Sequence, residues 1–155
     1  MPINIEKPDF DEPRDRDGFR VRRAGVGRRA GAVKLGAAVW ELPPGEAAYP
    51  YHFHLGVEEM ILVLSGTPTL RAPDGEREVD QGELLVFLPG ERGAHQLINR
   101  STETARFLAV STMGALDLVV YPDSNKIACH ERGGLRELHF RANAVDYWDG
   151  ESPPG

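Results

Sequence analysis

Apolar and polar positions follow one another along this chain in short bursts. Segments 33–42, 51–55, 60–64, 69–72, 84–88, 95–98, 106–111 and 116–121 are each rich in aliphatic, β-branched or aromatic residues. Turn chemistry separates them: Pro43-Pro44-Gly45, Ser65-Gly66, Pro73-Asp74-Gly75, Gln81-Gly82, Pro89 to Gly93, and Asn99 to Thr102. Short apolar segments spaced about 8–12 residues apart, with turns between them, predict an all-β sandwich or barrel. Pro73-Asp74-Gly75, between 69–72 and 77–79, is the clearest hairpin. No segment sustains a 3.6-residue period for three turns, so long helices are not expected.

The two ends read differently. Residues 1–18 are polar and interrupted by proline, as an extended arm would be. Seven arginines then crowd into 14–29, at positions 14, 16, 20, 22, 23, 28 and 29. Such a run is either a solvated face with Asp15 and Asp17 interspersed, or a contact with an anionic ligand or a partner subunit. Gly25-Val26-Gly27-Arg28-Arg29-Ala30 has the look of a dinucleotide fingerprint. That fingerprint needs a helix directly after it, whereas 33–42 reads as a strand, so it is set aside. Beyond 121, Pro122 to Asn125 is a turn and 137–142 is a last strand or an arm. Trp148 predicts a docked tail, because an indole gains much by burial, and 152–155 reads as a frayed end.

At 155 residues the chain has the length of one domain, with a barrel over about 33–121, an arm over 1–32 and a tail over 122–155. Glycine (17) and proline (12) are abundant but aperiodic, which fits many turns rather than a fibrous repeat. A net charge of −6 argues against nucleic acid and against an anionic membrane surface as partners. No apolar run approaches the roughly 18 residues that a membrane-spanning helix needs. The first residues lack the basic and apolar regions of an export signal. Cys129 is the single cysteine, so no internal disulfide can form. Both features fit a cytoplasmic location.

Candidate chemistry lies among the five histidines, 52, 54, 95, 130 and 139. His52 and His54 flank Phe53, and in a strand an i, i+2 pair projects to one face. Glu58 and Glu59 follow, opening the run Met60 to Leu64. A carboxylate at the mouth of a buried face needs a cation or a hydrogen-bond partner. His95 opens another strand after a Gly-rich turn. Three imidazoles and one carboxylate suit Fe, Mn, Ni, Cu or Zn better than Mg or Ca. On spacing alone, a surface His-x-His pair with an unrelated third histidine is the competing reading.

These residues resemble the first motif of the cupin superfamily, Gly-x5-His-x-His-x(3,4)-Glu-x6-Gly. It is matched here by Gly45, His52, His54, Glu59 and Gly66, with one extra residue between Gly45 and His52. The second motif, Gly-x5-Pro-x-Gly-x2-His-x3-Asn, is matched by Gly82, Gly90, His95 and Asn99. Leu88 holds its proline position, with Pro89 one later, and the turn before His95 is two residues longer. That turn bears on the rim of the pocket more than on the ligands. Sequences around Thr69 to Arg71, Gly93 to Gln96, Tyr121 to Ser124 and Val145 to Glu151 look more narrowly like small single-domain bacterial cupins.

The resemblance implies a double-stranded β-helix, or jelly roll. It implies one divalent transition metal held inside the barrel by His52, His54, Glu59 and His95. Glu58 is the rival carboxylate, but Glu59 alone shares a strand face with Ile61 and Val63. Gln96, Tyr49, Tyr51, Arg71 and Asn99 are candidates for the surroundings, each with a plain structural alternative. Tyr49 and Tyr51 could simply pack, Arg71 form a surface ion pair, and Asn99 end its strand. Cys129, His130 and His139 read as ordinary residues. A metalloenzyme acting on a small oxygenated molecule is expected, of dioxygenase, isomerase or lyase type. The alternative is a non-catalytic metal or small-ligand binding module or sensor, and a third reading has the metal only stiffen the barrel. Phe10, Leu138, Phe140, Tyr147 and Trp148 predict a homodimer, because one small barrel has little room to bury them.

Overall fold

The computed structural model describes residues 2–131 and 133–153; Pro154 and Gly155, part of the expected frayed end, lie outside them. Twelve strands are found among the described residues, with one five-residue helix. In chain order they are β1 (Arg22–Gly25), α1 (Val26–Ala30), β2 (Leu35–Leu42), β3 (Phe53–His54), β4 (Glu59–Ser65), β5 (Thr69–Ala72) and β6 (Gly75–Glu78). There follow β7 (Leu84–Phe87), β8 (Gln96–Ile98), β9 (Ala105–Thr112), β10 (Leu116–Tyr121), β11 (Lys126–Glu131) and β12 (Arg136–Phe140).

Three antiparallel sheets result, ordered β1-β2-β9-β4-β7, β12-β11-β10-β3 and β6-β5-β8. Strands distant in sequence are neighbours, as when β2 pairs along its whole length with β9. The architecture is all-β, a double-stranded β-helix. Its strands follow the period-2 rule. Ile61 and Val63 on β4 are buried, whereas Met60 is exposed. Leu85 and Phe87 on β7 are buried, whereas Leu84 and Val86 face outward. The main core gathers Trp40, Leu42, Ile61, Val63, Leu97 and Phe107, with the Trp40 and Phe107 rings stacked at 5.8 Å.

Gly66, the last residue of the first motif, has φ +77°, and a Cβ there would lie 2.8 Å from the Ala105 Cα. Only glycine combines that backbone conformation with so close an approach. Gly93 is similarly constrained, since a Cβ would overlap the Leu88 carbonyl oxygen.

The arm is extended as expected, and it is also docked. Ile3, Ile5 and Phe10 pack with Ala24, Val26, Val39 and Leu108 in a second apolar cluster on the outside of the five-stranded sheet. Arg14 bridges to Val21.

Three expectations need correction. Strand β1 lies hidden in the arginine run, and β11 lies between the expected turn at 122–125 and the expected last strand, where no element was expected. Val26–Ala30, inside the stretch set aside as a fingerprint, is one turn of helix, and the strand that argued against the fingerprint does follow it as β2. Trp148 does not dock: it is 71% exposed and touches Tyr147 rather than the barrel. Local hydrogen bonds of Asp146 and Asp149 fold that segment on itself, so neither indole nor phenol reaches apolar surface.

Candidate metal centre

Three strands bring four side chains to one point. His52 precedes β3, His54 lies in it, Glu59 opens β4 and His95 precedes β8. The backbones of His52 and His95 exchange hydrogen bonds, at 2.8 and 3.2 Å, which sets their side chains next to one another. The ring centroids of His52 lie 4.9 Å from those of both His54 and His95. Phe87 stacks on His95 at 3.8 Å and fixes the ring plane.

Each imidazole is turned by its own Nδ1. That of His52 is 2.9 Å from the Pro50 carbonyl, that of His95 2.9 Å from the Gly93 carbonyl, and that of His54 2.5 Å from Asp117 Oδ2. With each Nδ1 facing an oxygen, every Nε2 points inward. His52 Nε2 lies 3.1 Å from His54 Nε2. Glu59 Oε2 is 3.3 Å from Nε2 of both His54 and His95. The donor atoms of His52, His54 and Glu59 lie within 4.8 Å of one another, a group that could hold a metal ion. His95 falls outside that tightest group, but its buried Nε2 points at the same carboxylate and has no hydrogen-bond partner. Three inward Nε2 atoms, one of them orphaned, beside a carboxylate are the donor set a divalent transition metal takes once His54 gives up its proton.

The electrostatics agree. Burial, then the neighbouring His95 and His54, lowers the His52 pKa to about 3, so its ring is neutral. Burial also pushes His54 down, but its hydrogen bonds with Asp117 and Glu59 outweigh that and raise it to about 9. Burial pushes Glu59 up, yet His54 and His95 hold its carboxyl well below the usual range. Protonated His54 thus bridges the Asp117 and Glu59 carboxylates through its two N–H groups, and the Nε2 proton stands where a metal cation could.

The long turn before His95 has a use. Its extra residues form a 3-10 turn at Glu91–Gly93, and Gly90 N–H donates to the His54 carbonyl at 2.7 Å. The turn therefore clasps β3 while its Gly93 carbonyl orients His95.

A cavity of about 460 Å³ opens beside the histidines, lined in part by Arg14, Trp40, Tyr49, Tyr121, His130 and Arg136. Tyr49 meets His52 and His95 edge-on, at 4.9 and 5.5 Å. The other expected surroundings lie elsewhere. Arg71 pairs with Asp123 at 2.6 and 2.8 Å and covers the Tyr51 ring. Gln96 faces away from its neighbour His95 and donates to the Tyr49 carbonyl. Asn99 is buried and ends its strand through hydrogen bonds to Leu42, Glu103 and Ser101. Glu58 is exposed. His139 sits on the surface beside Glu137.

His130 corrects the reading of it as ordinary, since it lines the cavity. Asp117 escaped notice altogether. The signal was an acid inside the apolar strand Leu116–Tyr121, on the face that Val119 buries.

The sequence pattern of the Cupin domain family matches residues 38–111. This chain carries a cupin domain. The cupin is similar to a candidate sugar phosphate isomerase of Acidithiobacillus ferrooxidans, at 26% identity over 83% of this chain and 81% of that one, with a TM-score of 0.76. It shares its fold with a cupin-superfamily sugar phosphate isomerase of Silicibacter pomeroyi, at 23% identity over 92% and 98% and a TM-score of 0.77. The polyketide cyclase RemF of Streptomyces resistomycificus is similar at 26% identity over 72% and 78%, with a TM-score of 0.58. No curated protein matches the cupin significantly. None of its helices is long and apolar enough to cross a membrane, among the described residues.

Proposed function

We propose that this cupin is a metal-dependent enzyme acting on a small oxygenated molecule, most simply an isomerase that moves a proton next to a carbonyl. The observation that carries the reading is the convergence of three Nε2 atoms and the Glu59 carboxylate beside a cavity with polar walls. His52, His54, Glu59 and His95 would hold the ion. Once bound, a divalent ion polarises a carbonyl or hydroxyl oxygen as a Lewis acid.

The chain's own residues supply the rest. Asp117 and two backbone carbonyls keep the imidazoles in the ligating tautomer. His130 is held below its ordinary pKa by burial and then by Arg136, so it is neutral at pH 7 and can accept a proton. The Tyr49 hydroxyl is held far above its ordinary value by burial and then by Glu59, so it stays protonated and can donate. Neither His130 Nε2 nor Tyr49 Oη has a hydrogen-bond partner within the protein. Trp40 and Ile61 wall the cavity and limit the water that reaches it. The likeness to the Acidithiobacillus protein, named a candidate sugar phosphate isomerase, supports isomerase chemistry over dioxygenase or lyase chemistry.

Metal content per chain by mass spectrometry tests this, with wild type, His52→Ala and Glu59→Ala purified without chelator or nickel resin. The expected result is close to one Fe, Mn, Ni or Zn in wild type and loss in both variants. Solvent deuterium should then enter hydroxy-ketone substrates only with metal-loaded wild type. Metal without exchange on any such substrate would leave a binding module. No metal after loading would overturn the reading.

A further inference from the structure

Arg14 and Arg136 reach one cavity from opposite ends of the chain. Arg14 comes from the docked arm and Arg136 from β12, where it lies in register with His130. Most of the arginine run is neutralised locally. Arg20 pairs with Asp15, Asp17 and Glu46, Arg22 with Glu41, Arg23 with Glu12 and Arg29 with Asp11. Arg14 and Arg136 have no carboxylate partner among the described residues. The Arg14 residue is exposed as a whole, but its guanidinium lies over the Trp40 ring, 4.9 Å from the centroid. There burial, and next the Arg136 cation, depresses its pKa.

The acids of the cavity are already committed. Glu59 faces His54 and His95, and Asp117 holds His54 Nδ1 and the Gly56 N–H. Two like charges in one cavity repel, and only a counter-charge between them reverses the sign. Around them the Trp40 indole N–H, the Tyr49 hydroxyl and His130 Nε2 are buried without protein partners. That wall offers two donors, one neutral imidazole and two cations, and its one lining anion, Glu59, already faces the histidines.

We propose that Arg14 and Arg136 clamp the phosphate monoester of the substrate while its carbonyl end meets the histidine centre. Two guanidiniums match a phosphate dianion in charge and offer it forked N–H donors. The proposal rests on the metalloenzyme reading for its second half only, because the clamp itself needs no metal.

The test uses metal-free full chain carrying Trp148→Phe, which leaves Trp40 as the single tryptophan. Inorganic phosphate is titrated in phosphate-free buffer and followed by Trp40 fluorescence, with acetate in parallel. Saturable phosphate binding is expected, weakened about tenfold or more by Arg14→Gln and by Arg136→Gln, unchanged in Arg141→Gln, and stronger than acetate. Far-UV circular dichroism checks that each variant is folded. Because the two glutamine variants alter different elements, loss of fold in one leaves the other decisive. Equal phosphate affinity in all variants, or no saturable response, would overturn the clamp. Acetate binding as tightly as phosphate would overturn the phosphate assignment. Metal content on the same samples separates the two ideas. Phosphate binding in a chain that takes no metal supports the clamp and sinks the metalloenzyme, and metal uptake without phosphate affinity does the reverse.

Discussion

Along the inward face of β4, Glu59 gives way to Ile61 and then Val63, so one strand serves two regions of opposite character. The apolar region closes Leu42, Val63, Leu97 and Phe107 against one another, all less than 2% exposed. Dispersion and burial hold it, and neither has a direction. In the histidine region almost every contact has a direction. Nδ1 of His52, His54 and His95 each faces one named oxygen, and the Nε2 atoms opposite them converge. The first region decides whether the chain folds, and the second what the folded chain can hold. Substitutions should therefore sort cleanly between stability and metal affinity.

The largest effect is expected for Phe107→Ala. Removing a fully buried ring stacked on Trp40 should cost about 3–5 kcal/mol in urea unfolding, while metal per folded chain stays unchanged. Loss of both together would erase the contrast between the regions. Next comes Asp117→Asn, which keeps the shape but weakens the acceptor on His54 Nδ1. Metal affinity should fall about 10–100-fold, or roughly 1.4–2.8 kcal/mol, in competition titrations.

A third effect concerns pH. His54 is raised from 6.5 to about 9 in the metal-free fold. Its contribution to stability is complete below pH 6.5 and lost as pH rises through about 9. The melting temperature of metal-free protein should fall across that window, and that of metal-loaded protein should not. At pH 7.5 metal must displace the His54 proton, so calorimetry in buffers of different ionisation enthalpy should show release of about one proton. No buffer dependence would mean that His54 is not a ligand. The smallest effect is expected for Trp148→Ala, less than about 0.5 kcal/mol, since the indole is exposed. Light scattering sharpens this: twice 17.1 kDa in wild type falling to 17.1 kDa in Trp148→Ala would place the tail in a homodimer interface.

The centre was legible because its cues are local. His52 and His54 sit two apart, Glu59 begins the apolar alternation of β4, and each strand that carries them has a period of 2. The strand list from 33 to 121 was legible for the same reason. Strand β11 was not, because Lys126-Ile127-Ala128-Cys129-His130-Glu131 mixes charge and apolar residues on both faces. Nor was β1, whose Arg22 and Arg23 read as part of a charge run. Asp117, His130 and Arg136 stand side by side only through the pairing of β10 with β11 and β11 with β12. Long-range register of this kind leaves no mark in any short window of sequence. Trp148 misled because its indole promises burial but names no partner for it.

The shared face of β4 also constrains how such a protein can change over generations. A single residue inserted just after Glu59 would turn Ile61 and Val63 outward, because a one-residue slip flips every following side chain. Binding chemistry and foldability would then fail in the same event. Drift by insertion is closed to this strand, and the lineage can explore new ligands only by replacing side chains in place.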